Sequence, residues 1–157
     1  MSARVEDPLV VLRPMREHDI PSVVAIERRC YDFPWSVAVF SDCLCVGYCC
    51  WTIFQSSDMA GYGIMTVAAQ ECHILNICVD LEFRRQGYAG TLLDRLLESA
   101  ASNCAKTAYL EVRPSNRAAL KLYIGAGFTQ KSARPRYYPA QNGREDALVL
   151  RKQIGRQ

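Results

Sequence analysis

The stretch Asn76-Ile77-Cys78-Val79-Asp80-Leu81-Glu82-Phe83-Arg84-Arg85-Gln86-Gly87-Tyr88-Ala89-Gly90 is where the period of the chain changes. Up to Val79 the residues from Cys72 are nearly continuous in apolar character, as expected of a strand covered on both faces. Beyond Gly90, Leu92, Leu93, Leu96, Leu97 and Ala100 fall on one helical stripe, with Asp94, Arg95 and Glu98 opposite. A buried strand therefore feeds a turn holding two arginines and two glycines, and a helix follows. Such a turn aims several amides at one point, and the helix start adds partial positive charge. Gly87 and Gly90 lack a Cβ and admit a close ligand. The segment reads either as a pyrophosphate cradle or as a tight turn with solvated arginines, and spacing alone leaves both open. No Gly-Lys-Ser/Thr follows, so it is not a P-loop, and the dinucleotide pattern G-x-G-x-x-G is absent.

Working outward, Leu9 to Leu12 is a short strand ended by Pro14, and Asp19 begins a helix with Pro21 tolerated in its first turn. Val23, Val24 and Ile26 form its apolar face, and Trp35 to Phe40 reads as a second short helix. Cys43 to Phe54 and Tyr62 to Ala69 read as strands joined by the polar loop Gln55 to Asp58. Lys106 to Arg113 alternates, with Ala108, Leu110 and Val112 on one face and Thr107, Tyr109 and Glu111 on the other. Ser115 or Asn116 caps a helix carrying Leu120, Tyr123 and Ile124, and Gly127 suits its left-handed end. Phe128 to Ala133 and Ala147 to Arg151 complete the strands, leaving Tyr137 and Tyr138 in the connection between them. The pattern predicts one α/β or α+β domain with a mixed sheet, spanning 1–157 with its core at about 9–152.

Composition narrows the function. The net charge of +3 is spread along the chain, too weak a bias for direct nucleic-acid binding. The longest apolar run, Cys43 to Phe54, is shorter than the roughly 18 to 20 residues of a membrane span. Glu6 and Asp7 stand where a signal peptide would carry its apolar core, so a cytoplasmic, reducing compartment is expected. The eight cysteines show no C-x-x-C pair or metal-ligand spacing, and read as small buried residues on strands with no metal bound. His18 and His73 read as surface or satisfied residues, and Arg28-Arg29, Arg134 and Arg136 as solvated faces.

The run Arg84-Arg85-Gln86-Gly87-Tyr88-Ala89 resembles the acetyl-CoA loop of the GNAT acetyltransferase superfamily, whose pattern is Gln/Arg-x-x-Gly-x-Gly/Ala. Further likeness covers nearly the whole chain: Phe33-Pro34-Trp35-Ser36, Leu75 to Asp80, Leu110-Glu111-Val112-Arg113, Ser115-Asn116, Leu122-Tyr123, Gly127-Phe128, Tyr137-Tyr138-Pro139 and Gly143 to Ala147. In this order they resemble the branch that acetylates the N-terminal alanine of a small-subunit ribosomal protein.

The resemblance implies the GNAT fold, a central, mixed, mostly antiparallel seven-stranded sheet with about four helices. It implies acetyl-CoA as cosubstrate, held by Ile77, Cys78 and Val79 on a strand, by Arg84, Arg85, Gln86, Gly87, Tyr88, Ala89 and Gly90, and by Asn116. Strand amides suit a thioester carbonyl, whose oxygen gains charge during attack. Glu111 matches the general base, since an α-amine with pKa near 8 must lose a proton first. Tyr123 matches the acid that protonates the departing thiolate. Phe33, Trp35, Tyr137 and Tyr138 would wall the substrate's N-terminus. The implied reaction is direct attack by a protein's N-terminal amine. Another protein N-terminus, a lysine side chain, a small amine, or a non-catalytic acyl-CoA sensor are the rival readings.

Overall fold

A computed structural model describes residues 9–155. Seven strands form one sheet: β1 (Val10–Pro14), β2 (Cys49–Gln55), β3 (Asp58–Ala68), β4 (Glu71–Val79), β5 (Thr107–Val112), β6 (Thr129–Ala140) and β7 (Gly143–Gln153). Their spatial order is β1-β2-β3-β4-β5-β7-β6. Every neighbouring pair is antiparallel except β4 and β5. Four α-helices cover the faces: α1 (Ile20–Cys30), α2 (Val37–Cys45), α3 (Tyr88–Ser102) and α4 (Arg117–Gly125). The seven-stranded mixed sheet and four helices match the expected class.

Alternation on the strands builds a core on each face. On β3, Tyr62 and Ile64 pack with Val23, Val24 and Ile26 of α1 and Phe40 of α2. Their neighbour Met65 packs on the other side with Leu93, Leu96 and Ala100 of α3 and Tyr123 of α4. The predicted α3 stripe is the buried one, with Leu92 and Leu96 fully covered. Each such leucine contributes about 1.5–3 kcal/mol by burial. The α1 start is less ordinary: Asp19 is buried, but its carboxylate accepts Arg13 at 2.7 and 2.8 Å and the Arg16 amide rather than capping the helix.

Three expectations are corrected. Cys43 to Cys45 are not strand; they form the last turn of α2, which starts at Val37 with the Ser36 side chain accepting the Val39 amide. Gly47, at φ 82°, breaks the apolar run and lets a helix precede β2. Consequently the cysteines are not all buried strand residues. Cys43 lies inside α2, and Cys45 and Cys104 are exposed thiols. Tyr137 and Tyr138 lie in no loop, because β6 continues through them to Ala140.

Glycine matters most at Gly61, where β3 runs hard against β4. A Cβ there would overlap the Cys78 carbonyl oxygen and meet the Val79 Cα at 3.2 Å. Backbone on both sides cannot yield as a flexible side chain would. Gly61→Ala is expected to destabilise the fold by about 1–3 kcal/mol, read as a lower urea midpoint with unchanged slope.

Candidate active site

The central strands part company. β4 and β5 pair only from Glu71–Thr107 to Ile74–Leu110. On its other side β4 pairs Ile74 with Met65 and Asn76 with Ile64, leaving Leu75 as an extra residue. A bulge bends a strand and increases its twist, so β4 swings away and a fork opens beyond Leu75. Asp80 donates its amide to Ala60 at 2.8 Å on the β3 side. By alternation the backbone groups of Cys78 face β3, and those of Ile77 and Val79 face the fork. Their carbonyls confirm this: Ile77 O lies 3.2 Å from the Tyr31 hydroxyl, and Val79 O accepts Arg84 Nε at 3.2 Å. The N–H groups of Ile77 and Val79 therefore line the fork as donors.

Past the end of β4, Asp80 caps a short turn at Leu81 and Arg29 grips its carboxylate at 3.1 and 2.6 Å. The loop then passes through Arg85 (φ 65°) and Gly87 (φ 79°), both left-handed. Gly87 precedes α3 without any side-chain cap, so the first-turn amides of Tyr88, Ala89 and Gly90 lack intrahelical acceptors. The Gln86 and Tyr88 side chains do not point into this concavity. Gln55 Nε2 donates to both at 2.8 Å, and the Tyr88 ring is in the core. Arg84 is tied to the end of β4. What the loop offers is main chain plus the Arg85 side chain.

Two adjoining cavities open at the fork. The first, of 310 Å³, is lined by Phe33, Ile77, Asn116 and Tyr123 among others. The second, of 520 Å³, extends past Tyr137 to His73 and Lys131. Trp35, Leu75, Glu111 and Tyr138 line both. Of the expected strand, helix and hairpin residues, Ile77, Glu111, Asn116, Tyr123, Phe33, Trp35, Tyr137 and Tyr138 thus converge. The Val79 side chain instead packs in the core with Ile53, Tyr88 and Leu92, and the 84–90 loop lines neither cavity and lies beyond the tip of β4. Cys78 is also outside: its side chain packs under α1 and α2, and burial pushes its thiol up to about 12.

Glu111 stands at the junction, half-buried, with Arg134 Nε 3.1 Å from its carboxylate. Arg134 is therefore an ion-pair partner inside the site rather than a merely solvated charge. The neighbouring Glu111 also pushes the Tyr137 phenol up, as acceptor and as charge. Tyr123 is buried, edge-on to Phe128 at 5.8 Å, and burial first, then Tyr138, raises its pKa. Burial also pushes Tyr138 up to about 12. Both phenols therefore hold their protons at neutral pH. Asn116 caps α4, its side chain accepting the Ala119 amide at 3.2 Å. Trp35 both packs on Phe40, at 5.4 Å, and forms part of the wall.

Three residues of the site have no role assigned from the sequence, although Arg113 lies in the quoted Leu110–Arg113 motif. Glu27 is buried at 2% exposure, accepting Tyr62 at 2.6 Å, Asn76 at 2.9 Å and the Trp35 amide at 2.9 Å. It thereby ties the Phe33–Trp35 wall to β3 and β4. Tyr31 lines the first cavity, its hydroxyl donating to Ile77 O at 3.2 Å. Arg113 lies over Tyr138 at 4.3 Å and Phe33 at 5.8 Å, and donates to Pro139 O and Glu145. Glu145 also accepts the Ser115 amide and hydroxyl, at 3.0 and 2.9 Å. The signal available for Glu27 was a lone acid among Val23, Val24 and Ile26.

The acetyltransferase (GNAT) family model matches residues 20–128. The chain is 37% identical over 132 residues to the [Ribosomal protein bS18]-alanine N-acetyltransferase of Escherichia coli, covering 84% of this chain and 89% of that protein. Its counterpart in Haemophilus ducreyi is 32% identical over 85% of this chain and 93% of its own length. The crystal structure of the Escherichia coli ribosomal-protein-S18-alanine N-acetyltransferase superposes with a TM-score of 0.89 at 34% identity, covering 95% and 96% of the two chains. Ard1 from Thermoplasma volcanium shares the fold, with a TM-score of 0.84 at 23% identity over 92% and 97%.

The loop's anchor makes a pH test. Arg29 holds the Asp80 carboxyl below its ordinary range; burial opposes this and the Leu81 amide adds to it. A folded value below the unfolded one stabilises the fold at higher pH, and this is lost as pH falls through the folded value. The melting temperature is expected to fall below about pH 4, more steeply for the native chain than for Asp80→Asn.

Proposed function

The chain belongs to the acetyltransferase (GNAT) family and is an acyltransferase, and from that premise we propose that it acetylates a protein N-terminus. The donor is acetyl-CoA, and the acceptor is the N-terminal alanine of a small-subunit ribosomal protein. The observation that carries this reading is the meeting at one fork of outward strand amides, a half-buried carboxylate, a protonated phenol and an aromatic wall. Likeness to two bacterial ribosomal-protein alanine N-acetyltransferases over most of both chains supports the acceptor.

The donor fits the groups present. Ile77 and Val79 offer amides along the fork, and the uncapped first turn of α3 with Arg85 suits a pyrophosphate. Acetyl-CoA supplies an activated acyl carbonyl and a thiolate leaving group. The chain's residues do the remainder. The Ile77 and Val79 amides orient the acyl arm and oppose the charge gathering on its carbonyl oxygen. Glu111 takes the proton from the incoming ammonium, directly or through water, once the amine displaces Arg134. Tyr123, kept protonated by burial, gives its proton to the departing sulfur. Phe33, Trp35, Tyr137 and Tyr138 close around the first residue and exclude water. Attack is direct, because the Cys78 thiol is turned into the α1–α2 core and no acyl-cysteine stage is needed.

Two measurements test this. Glu111→Gln is expected to lower kcat by about a hundredfold or more while acetyl-CoA binding in calorimetry stays unchanged; full activity would remove Glu111 from the role of base. In a thiol-release assay, peptides with a free N-terminal alanine should outpace polyamines and N-blocked, lysine-containing peptides. The reverse order would assign the enzyme to a small amine or lysine acceptor, and binding without thiol release would make it a sensor.

A further inference from the structure

The segment Gly143-Arg144-Glu145-Asp146-Ala147 takes no part in the chemistry, yet it sits opposite a break in β6. Pairing runs from Arg134–Ala147 directly to Tyr138–Glu145, so Pro135, Arg136 and Tyr137 oppose Asp146 alone. Arg136 lies at φ 52°, a left-handed conformation that costs a non-glycine residue energy. Two β7 side chains hold it there. Asp146 Oδ1 accepts the Arg136 amide at 2.9 Å. Arg144 donates through Nε to Arg136 O and through a terminal nitrogen to Tyr137 O, both at 2.8 Å.

This bulge explains a placement that a regular strand forbids. Consecutive strand residues point to opposite faces, but the Tyr137 and Tyr138 rings meet edge-to-face at 4.9 Å and line the same cavity. Arg134, at the bulge's start, reaches Glu111 from the same side, with its guanidinium 5.5 Å from the Tyr137 ring.

We propose that Arg144 and Asp146 are positioning residues for the acceptor: they clamp the β6 bulge so that both tyrosines and Arg134 face Glu111. The proposal rests on the reading of this cleft as the acceptor site. Both residues are exposed and touch the cleft only through the backbone they hold. Nothing in the clamp reaches Ile77, Val79 or the 84–90 loop, so its loss falls on the acceptor and spares the donor.

The test uses the full chain with Arg144→Ala, Arg144→Lys, and Arg144→Ala combined with Arg136→Gly. Arg144→Ala should raise KM for an N-terminal-alanine peptide about tenfold and leave the KM for acetyl-CoA within about twofold. Lysine keeps the charge without the two-pronged donor and should rescue little. Glycine at 136 removes the left-handed strain and should recover much of the loss. An unchanged peptide KM, an equal rise in both KM values, or no recovery with glycine would overturn the proposal. The nuclear Overhauser contact between the two tyrosine rings reads the clamp without catalysis. It should vanish in Arg144→Ala and return with Arg136→Gly, and its persistence in Arg144→Ala would also refute the clamp. Were the wild type to acetylate no peptide, the acceptor reading would fail, and the ring contact would still decide whether the clamp exists.

Discussion

Beyond Ile74 and Leu110 the one parallel pair among the described strands stops sharing hydrogen bonds, and the rest of the molecule is arranged around that separation. Strand backbone away from water must find partners or pay several kcal/mol. Here the carbonyls of Ile77 and Val79 find Tyr31 and Arg84, while their amides are left facing the gap. The cause is one extra residue, Leu75, opposite the β3 step from Ile64 to Met65. The same bulge reverses which core the strand feeds. Cys72 and Ile74 pack toward α3, and Cys78, an even number of residues later, packs toward α1.

The walls of the gap come from elements far apart in the chain, and charged side chains fasten them. Glu27 links α1, the Trp35 amide, β3 and β4 through three accepted hydrogen bonds. A carboxylate this deep is tolerable only when donors surround it. Glu145 joins the end of β5 and the start of α4 to the β7 hairpin. The cleft is thus held at several points, by carboxylates that fasten its own wall residues Trp35, Asn76 and Arg113 to neighbouring elements.

Sequence patterns exposed what local periodicity can carry. The α3 stripe, the alternation of β5, the Asn116 cap and Gly127 at φ 98° all depend on neighbours within a few residues. Cys43 to Cys45 read as strand because a run apolar on every side has no period to distinguish helix from strand. Pro135 and the surrounding charges make the far part of β6 resemble a loop, and only the pairing partner on β7 reveals the bulge. Glu27 stayed hidden because its side-chain partners, Tyr62 and Asn76, stand 35 and 49 residues away. Arg134 likewise gains its meaning only from the sheet order, in which it reaches from β6 across the intervening β7 to Glu111 on β5.

The two halves of the cleft are made of different material. On the proposed reading the donor side is main chain: amides of β4 and of the first turn of α3, which every residue but proline supplies. The acceptor side is side chain, from Phe33 and Trp35 to Tyr137 and Tyr138, mounted on an inter-helix loop and a hairpin arm. Mutational drift can therefore redesign the acceptor walls while the donor grip persists. A lineage built on this scaffold would change whom it modifies long before it changed what it attaches.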